Sequence, residues 1–277
     1  MHSKKVAVIA AGSWGTALAK VLAENEHEVW LWARNEDQVN HMNLHRENRY
    51  LPGVALPSNI QATTSLQEAV DQAHVVLFAA PSSAMREMAA QVHPFVNEDA
   101  LIIHATKGFE PRSLKRMSEV IAEEMPRINA NDIVVLSGPS HAEEVAVQCP
   151  TTVVVAAASL PAAEKAQLLL MNRYFRVYTH TDVIGVETGG ALKNIIAIGA
   201  GISDGLGFGD NAKAALITRG LAEISRLGVA MGAEYATFSG LAGMGDLIVT
   251  CTSRHSRNWR VGYAVGQGKR LEQAMAE

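Results

Sequence analysis

The sequence predicts an α/β protein in which a doubly wound N-terminal domain is followed by an all-helical C-terminal domain. Short β-branched runs alternate with helix-period stretches as far as Tyr178. Those runs stop after Phe175-Arg176-Val177-Tyr178, and long helix-period segments take over. The 277 residues suit two domains at roughly 150 residues each.

Lys5–Ile9 is a β-branched run that ends in Ala10-Ala11-Gly12-Ser13-Trp14-Gly15, after which Leu18, Val21 and Leu22 recur at helical spacing. Val29-Trp30-Leu31-Trp32 follows the break at residues 25–27, which completes a β-α-β unit of about thirty residues. Further strands are expected at 75–79, 101–105, 133–136 and 152–155, with helices at 82–92 and 113–124 between them. The domain boundary is expected near Asp182, giving a dinucleotide-binding domain over 1–182 and a helical substrate-binding domain over 183–277. Within 211–232, Ile217, Leu221, Ile224 and Gly228 share a helical face, while Arg219, Glu223 and Arg226 lie largely elsewhere. There is no fixed-period repeat or low-complexity tract.

Composition narrows the function classes. With 48% apolar and 19% charged residues the chain reads as a soluble globular protein, neither disordered nor a coiled coil. A net charge of -4 offers no global attraction for nucleic acid or an anionic membrane, so an anionic ligand must be held by local groups. Cys149 and Cys251 form no CxxC or zinc-like spacing, which argues against a disulfide framework and a structural metal and fits a reducing cytosol. The apolar stretch 6–11 is too short for a signal segment or a spanning helix, so a cytoplasmic protein is expected. The ten histidines show no HExxH or other ligand spacing; they read as surface or capping residues, and no metal is predicted.

Ala10-x-Gly12-x-x-Gly15 is a dinucleotide fingerprint of the Rossmann type with its first glycine replaced, placed between a strand and a helix. Gly12 would let the backbone approach the pyrophosphate, Gly15 would let helix and strand pack closely, and the helix N-terminus through Ser13 and Trp14 would supply amide donors. If Ala10 must take a positive φ, its Cβ costs on the order of 1 kcal/mol and weakens cofactor binding. At the end of the second strand, where an NAD site usually offers a carboxylate, the chain has Arg34-Asn35-Glu36. An arginine there pairs with a 2′-phosphate, which favours NADP; a solvated arginine is the alternative, and NAD stays open.

Fold alone leaves the substrate undecided. The chain also holds Ala105-Thr106-Lys107-Gly108, Ser137-Gly138-Pro139-Ser140, Gly190-Ala191-Leu192-Lys193-Asn194, Leu241-Ala242-Gly243-Met244-Gly245-Asp246-Leu247 and Ser256-Arg257-Asn258. Together with the loop at 12–19, these segments in this order resemble bacterial NAD(P)-dependent glycerol-3-phosphate dehydrogenase, from the first strand to the C-terminal residue. The resemblance implies hydride transfer between NAD(P)H and dihydroxyacetone phosphate, giving glycerol 3-phosphate for glycerophospholipid synthesis, in a cytoplasmic homodimer. It implies that Lys193 is the general acid/base. It gives Lys107 to substrate and cofactor, Gly138 and Ser140 to substrate, and Ala142 to cofactor. Asp246 would bond a substrate hydroxyl or orient Lys193, and Ser256, Arg257 and Asn258 would hold phosphate.

The residues themselves support part of this. Gly189 and Ala197 lie one turn either side of Lys193, so small residues are expected to leave room for substrate at its amine. A lysine among other cations and apolar walls tends to a lower pKa, which suits proton transfer. Lys107 follows an apolar strand, at the sheet edge where open α/β domains bind ligands. Bland alternatives stand beside these readings: an ordinary Ser-Gly-Pro-Ser turn, an N-cap at Asp246, and a solvated basic run that includes Arg254 and Arg260. The chain departs from the family at Ala10 and in stopping at Glu277, where the family continues through helices that include a Val and a Glu contacting cofactor. A shortened helical domain with exposed apolar surface is therefore expected. Two rival functions are another NADP-dependent reductase of the same plan, opposed by Asp246 and the 256–258 triplet, and a non-catalytic nucleotide sensor, opposed by Lys107 and Lys193.

Overall fold

The structure, a computed structural model, describes residues 3–276. The chain divides into two compact units. The first holds the residues up to Leu136 together with Ala142–Val183, and the second holds Ser137–His141 and the chain from Ile184 onward.

The first unit is built on an eight-stranded sheet. In chain order its strands and helices are β1 (Lys5–Ile9), α1 (Ser13–Glu24), β2 (Glu28–Trp32), α2 (Glu36–His45), a hairpin of β3 (Glu47–Asn48) and β4 (Leu51–Ala55), then β5 (Ile60–Thr63), α3 (Leu66–Val70), β6 (Val75–Phe78), α4 (Met85–Val92), β7 (Leu101–His104), α5 (Met117–Glu124), β8 (Val134–Ser137), α6 (Ala142–Ala146), β9 (Thr151–Ala156), α7 (Leu160–Leu170) and β10 (Phe175–His180). The sheet order is β10-β9-β8-β7-β6-β1-β2-β5. Pairing is parallel for β1 with β2 and β6, β2 with β5, β6 with β7, β7 with β8, and β9 with β10. Parallel strands are covered on both faces, which is why Val75-Val76-Leu77-Phe78 reads as one apolar run and is wholly buried. Alternation along β1 divides the two cores: Val6 and Val8 pack with α1, α2, α6 and α7, while Ala7 and Ile9 pack with α3, α4 and α5. That is the doubly wound arrangement.

Three strands, β3, β4 and β5, escape the sequence pattern. β4 contains Pro52 and Gly53, both read as breakers, and survives because it belongs to a separate two-stranded hairpin. β5 is a sheet edge with the mixed sequence Ile-Gln-Ala-Thr. The helix expected over 113–124 starts only at Met117, because the preceding residues turn with Leu114 at φ +58° and the Glu110 amide donates to the Lys115 carbonyl. The one expected over 82–92 opens as a 3₁₀ turn at Ser82–Ala84. Two histidines are not surface groups: His104 is fully buried in β7 and His27 almost so, and burial lowers the His27 pKa.

The second unit is helical: α8 (Val183–Gly205), α9 (Gly209–Ala230), a 3₁₀ turn at Tyr235–Ser239, a π-type turn at Leu241–Gly245, then α10 (Asp246–Thr252), α11 (Arg257–Gly266) and α12 (Leu271–Ala276). Its core gathers Ala197, Ala200, Ile224, Phe238, Leu247 and Cys251, with Ile217 and Leu221 packed against them. Among the described residues only α8 is long and apolar enough to cross a membrane by length and composition, and 56% of that stretch is buried in the fold.

Candidate active site

The sheet unit places the glycine turn where ligand-binding crevices form. From β1 the chain goes to β2 on one side and later returns to β6 on the other, so the turn after β1 lies at the switch point of the sheet. Ala10 does take a left-handed backbone, at φ +88°, and its N–H donates to the Trp32 carbonyl at 3.2 Å. Gly12 is the N-cap of α1 in extended conformation, and a Cβ there would meet nothing within 4 Å. That face of the loop is open. At Gly15 a Cβ would stand 2.0 Å from the Ala10 carbonyl oxygen, so only glycine allows α1 to close on β1. The Trp14 indole Nε1 is buried with no partner among the described residues. An open cradle, free first-turn amides and an orphaned donor fit a dinucleotide phosphate.

Around this turn, Arg34 follows β2 and is exposed, with no ion pair among the described residues, and Asn35 beside it caps α2 by accepting from the Gln38 N–H at 2.8 Å. Lys107 is half-buried beyond β7; Thr106 before it donates to the Ala80 carbonyl at 2.6 Å, and Gly108 after it sits at φ +145°. Ala142 is buried at the first position of α6.

The helical unit holds the second constellation. Lys193, near the middle of α8, is only 6% exposed, and Asp246 at the start of α10 is 1% exposed. The Lys193 ammonium donates to Asp246 Oδ1, and to Thr250 Oγ1 at 2.7 Å. Thr250 donates in turn to the Asp246 carbonyl at 2.6 Å, one helical turn back. Asp246 is therefore not the N-cap, a place taken by Gly245. Two expectations are corrected here. Gly189 leaves no room for substrate, since a Cβ there would lie 2.6 Å from the Ala242 carbonyl oxygen, and Ala197 is buried in the core. These small residues admit the 241–245 turn, which carries Asp246. The charge beside Lys193 is also a carboxylate rather than a group of cations.

Gly138 takes φ +123° and its carbonyl accepts from the Ser140 hydroxyl at 3.0 Å. Pro139 lies against Gly245, 3.6 Å from the position of a Cβ there, so this turn sits beside Asp246. The His141 and His255 rings are 5.7 Å apart, which brings the same turn next to the 256–258 triplet. Ser256 caps α11 by accepting from the Trp259 N–H at 3.2 Å, Arg257 is exposed at the first position of that helix, and Asn258 donates to Asn194 Oδ1 at 2.9 Å. Lys193, Asp246, Gly138, Ser140 and the triplet thus form one neighbourhood within the helical unit. Thr250 and Asn194 belong to it and were given no role from sequence; the four-residue spacing from Asp246 to Thr250 on one helix face was the available signal.

A glycine turn at the switch point of a doubly wound sheet, joined in one chain to a helical unit with a buried lysine, defines a nicotinamide-type dehydrogenase architecture. Residues 5–163 match the model of the NAD-dependent glycerol-3-phosphate dehydrogenase N-terminus, and residues 182–277 that of its C-terminus. The chain is 56% identical over 275 residues to glycerol-3-phosphate dehydrogenase [NAD(P)+] of Bacillus licheniformis, covering 99% of this chain and 80% of that protein. It is 58% identical over 273 residues to the protein of the same name from Enterococcus faecalis, covering 98% and 80%. The crystal structure of glycerol-3-phosphate dehydrogenase from Coxiella burnetii superposes with a TM-score of 0.94 at 41% identity, covering 99% of this chain and 83% of that one. The chain belongs to the NAD-dependent glycerol-3-phosphate dehydrogenase family.

Proposed function

We propose that the protein is an NAD(P)-dependent sn-glycerol-3-phosphate dehydrogenase that interconverts dihydroxyacetone phosphate and glycerol 3-phosphate, supplying glycerophospholipid synthesis. The observation that carries this reading is the buried Lys193 ammonium held by Asp246 and Thr250, in a chain 56% identical over 275 residues to a relative of that name. The nicotinamide, when bound, supplies the hydride. Negative charge then grows on the substrate carbonyl oxygen, where Lys193 stabilises it and donates a proton; in the reverse direction Lys193 removes the hydroxyl proton. Asp246 and Thr250 fix the Lys193 amine against rotation, and the substrate hydroxyl takes up part of that hydrogen bonding.

Gly138, Ser140, Ser256, Arg257 and Asn258 bind the substrate, with the Arg257 guanidinium suited to bidentate contact with phosphate. Gly12, Ser13, Trp14 and Gly15 hold the cofactor through first-turn amides, with Ala142 packed near it, Lys107 and Arg257 shared with substrate, and Arg34 selecting the 2′-phosphate of NADP. This reading takes 1–182 as the dinucleotide-binding domain and 183–277 as the substrate domain, in a cytoplasmic homodimer that uses neither nucleic acid nor membrane as a partner. The decisive assay follows NADPH absorbance with dihydroxyacetone phosphate, with NADH in parallel. Turnover faster with NADPH is the expected result; binding of NADPH without turnover would leave a nucleotide sensor.

A further inference from the structure

We propose that Asn48 and Gln38 are positioning residues for the cofactor turn, clamping the Ala11 carbonyl and so holding Ala10 in the left-handed conformation that glycine adopts unaided. This rests on the reading of residues 10–15 as the dinucleotide turn.

Ala10 carries a Cβ at φ +88°, a conformation that L-residues enter only against a steric cost. Such a residue persists where its surroundings over-determine it. Here they do. The carbonyl of the next residue, Ala11, accepts two side-chain hydrogen bonds, from Gln38 Nε2 at 2.7 Å and from Asn48 Nδ2 at 3.0 Å. Asn48 Nδ2 also donates to Thr16 Oγ1 at 2.7 Å, and Thr16 donates from that oxygen to the Gly12 carbonyl at 2.8 Å. Asn48 Oδ1 accepts from Gln38 Nε2 at 3.2 Å and from the Tyr50 N–H at 3.2 Å. The amide of Asn48 is thereby engaged at both its nitrogen and its oxygen, in a side chain with no exposed surface; Gln38 is 6% exposed.

The clamp acts on the atom that matters. The Ala11 carbonyl and the Gly12 N–H share one peptide plane, so fixing the oxygen fixes the direction of the Gly12 N–H as well. The two donors come from elements with no other evident part in the site: the first turn of α2, capped by Asn35, and the β3–β4 hairpin. A substituted fingerprint thus keeps its geometry through two neighbouring side chains.

The test uses the full chain with Asn48→Ala, Gln38→Ala, Ala10→Gly and the Ala10→Gly/Asn48→Ala pair. NADPH affinity is read by fluorescence titration, and amide hydrogen exchange of residues 11–16 is read without cofactor. Asn48→Ala is expected to weaken NADPH about tenfold, as loss of one buried hydrogen-bonding group does, and to speed exchange in the turn. At saturating NADPH, kcat and the KM for dihydroxyacetone phosphate stay as in the wild type. Ala10→Gly in the Asn48→Ala background restores most of the affinity, because glycine needs no clamp, whereas Ala10→Gly alone changes little. Should Asn48→Ala fail to fold, Gln38→Ala, on the rim of the same network, is read in the same way. Unchanged NADPH affinity, or effects of Ala10→Gly and Asn48→Ala that simply add, would overturn the clamp. A wild-type protein that binds no NADPH would instead overturn the cofactor reading, and the clamp would then stand or fall on the coupling in hydrogen exchange.

Discussion

Lys193 and Asp246 form a pair with side chains 7% and 1% exposed, so removing either partner strands the other in a medium that solvates charge poorly. Asp246→Ala is expected to cost about 3–5 kcal/mol of stability, seen as a lowered thermal midpoint, while Lys193→Met/Asp246→Leu recovers much of it. Both are expected to be inactive. Lys193→Ala is expected to keep NADPH binding and to lose turnover by about 10²–10⁴-fold, the usual yield of a positioned proton donor; undiminished turnover would remove Lys193 from the mechanism. Cys251, buried in the helical core, has its thiol pushed up to about 11 by burial. It is expected to resist alkylation at pH 8 while the partly exposed Cys149 reacts. The sign for stability follows: the folded thiol stays neutral while the unfolded one ionises, so Cys251 contributes less as pH rises through 9 towards 11.

At the scale of elements, α8 and α11 cross on glycines. A Cβ at Gly201 would stand 2.1 Å from the Trp259 carbonyl oxygen, and one at Gly262 2.1 Å from that of Ile198. Alanine would gain about 1 kcal/mol of helix propensity, but the obstacle is backbone and the helices must part. Gly201→Ala is therefore expected to lose about 1–3 kcal/mol net and, by moving α11, to raise the KM for dihydroxyacetone phosphate; an unchanged denaturation midpoint would contradict this packing. In the sheet unit, the loop that carries Lys107 is pinned by Arg86, which bonds both Glu110 oxygens and also reaches Glu123 and Glu124. Arg86 and Ser113 hold the Glu110 carboxyl at about 2. A depressed carboxylate stabilises above its unfolded pKa and is lost as pH falls from about 4.5 towards 2. Hydrogen exchange over residues 108–116 is expected to quicken across that interval in the wild type and already at neutral pH in Glu110→Gln.

At the scale of the molecule, a ligand that binds only the folded sheet unit raises its stability by mass action. NADPH at a hundred times its Kd is expected to add about 2.7 kcal/mol, read as an upward shift of the unfolding midpoint that dihydroxyacetone phosphate alone does not reproduce. Exposed apolar side chains on the helical unit, among them Ile195, Phe208 and Tyr235, accord with association of two copies. Sedimentation at micromolar concentration is expected to find a dimer, and a monomer there would remove that part of the reading.

The elements legible in the sequence are those whose burial is uniform. Strands covered on both faces, such as Val75–Phe78, read as unbroken apolar runs, and the glycine turn reads from spacing because its geometry is local. The β3–β4 hairpin and β5 carry no such signal, since a covered face is only half of an edge strand and Pro52 and Gly53 imitate a loop. The same division holds at the site. Lys193, Asp246 and the 256–258 triplet stand out by residue type and order, but a side chain's partner 53 residues away is a property of packing. Sequence spacing made Gly189 look like space for a substrate, and only tertiary structure filled it with the Ala242 backbone. Likewise the sequence alone poses the question of Ala10, a Cβ where the turn wants none. The answer lies in Gln38 and Asn48, which the chain brings to one carbonyl from two later elements, because a hydrogen bond depends on distance in space and not along the chain.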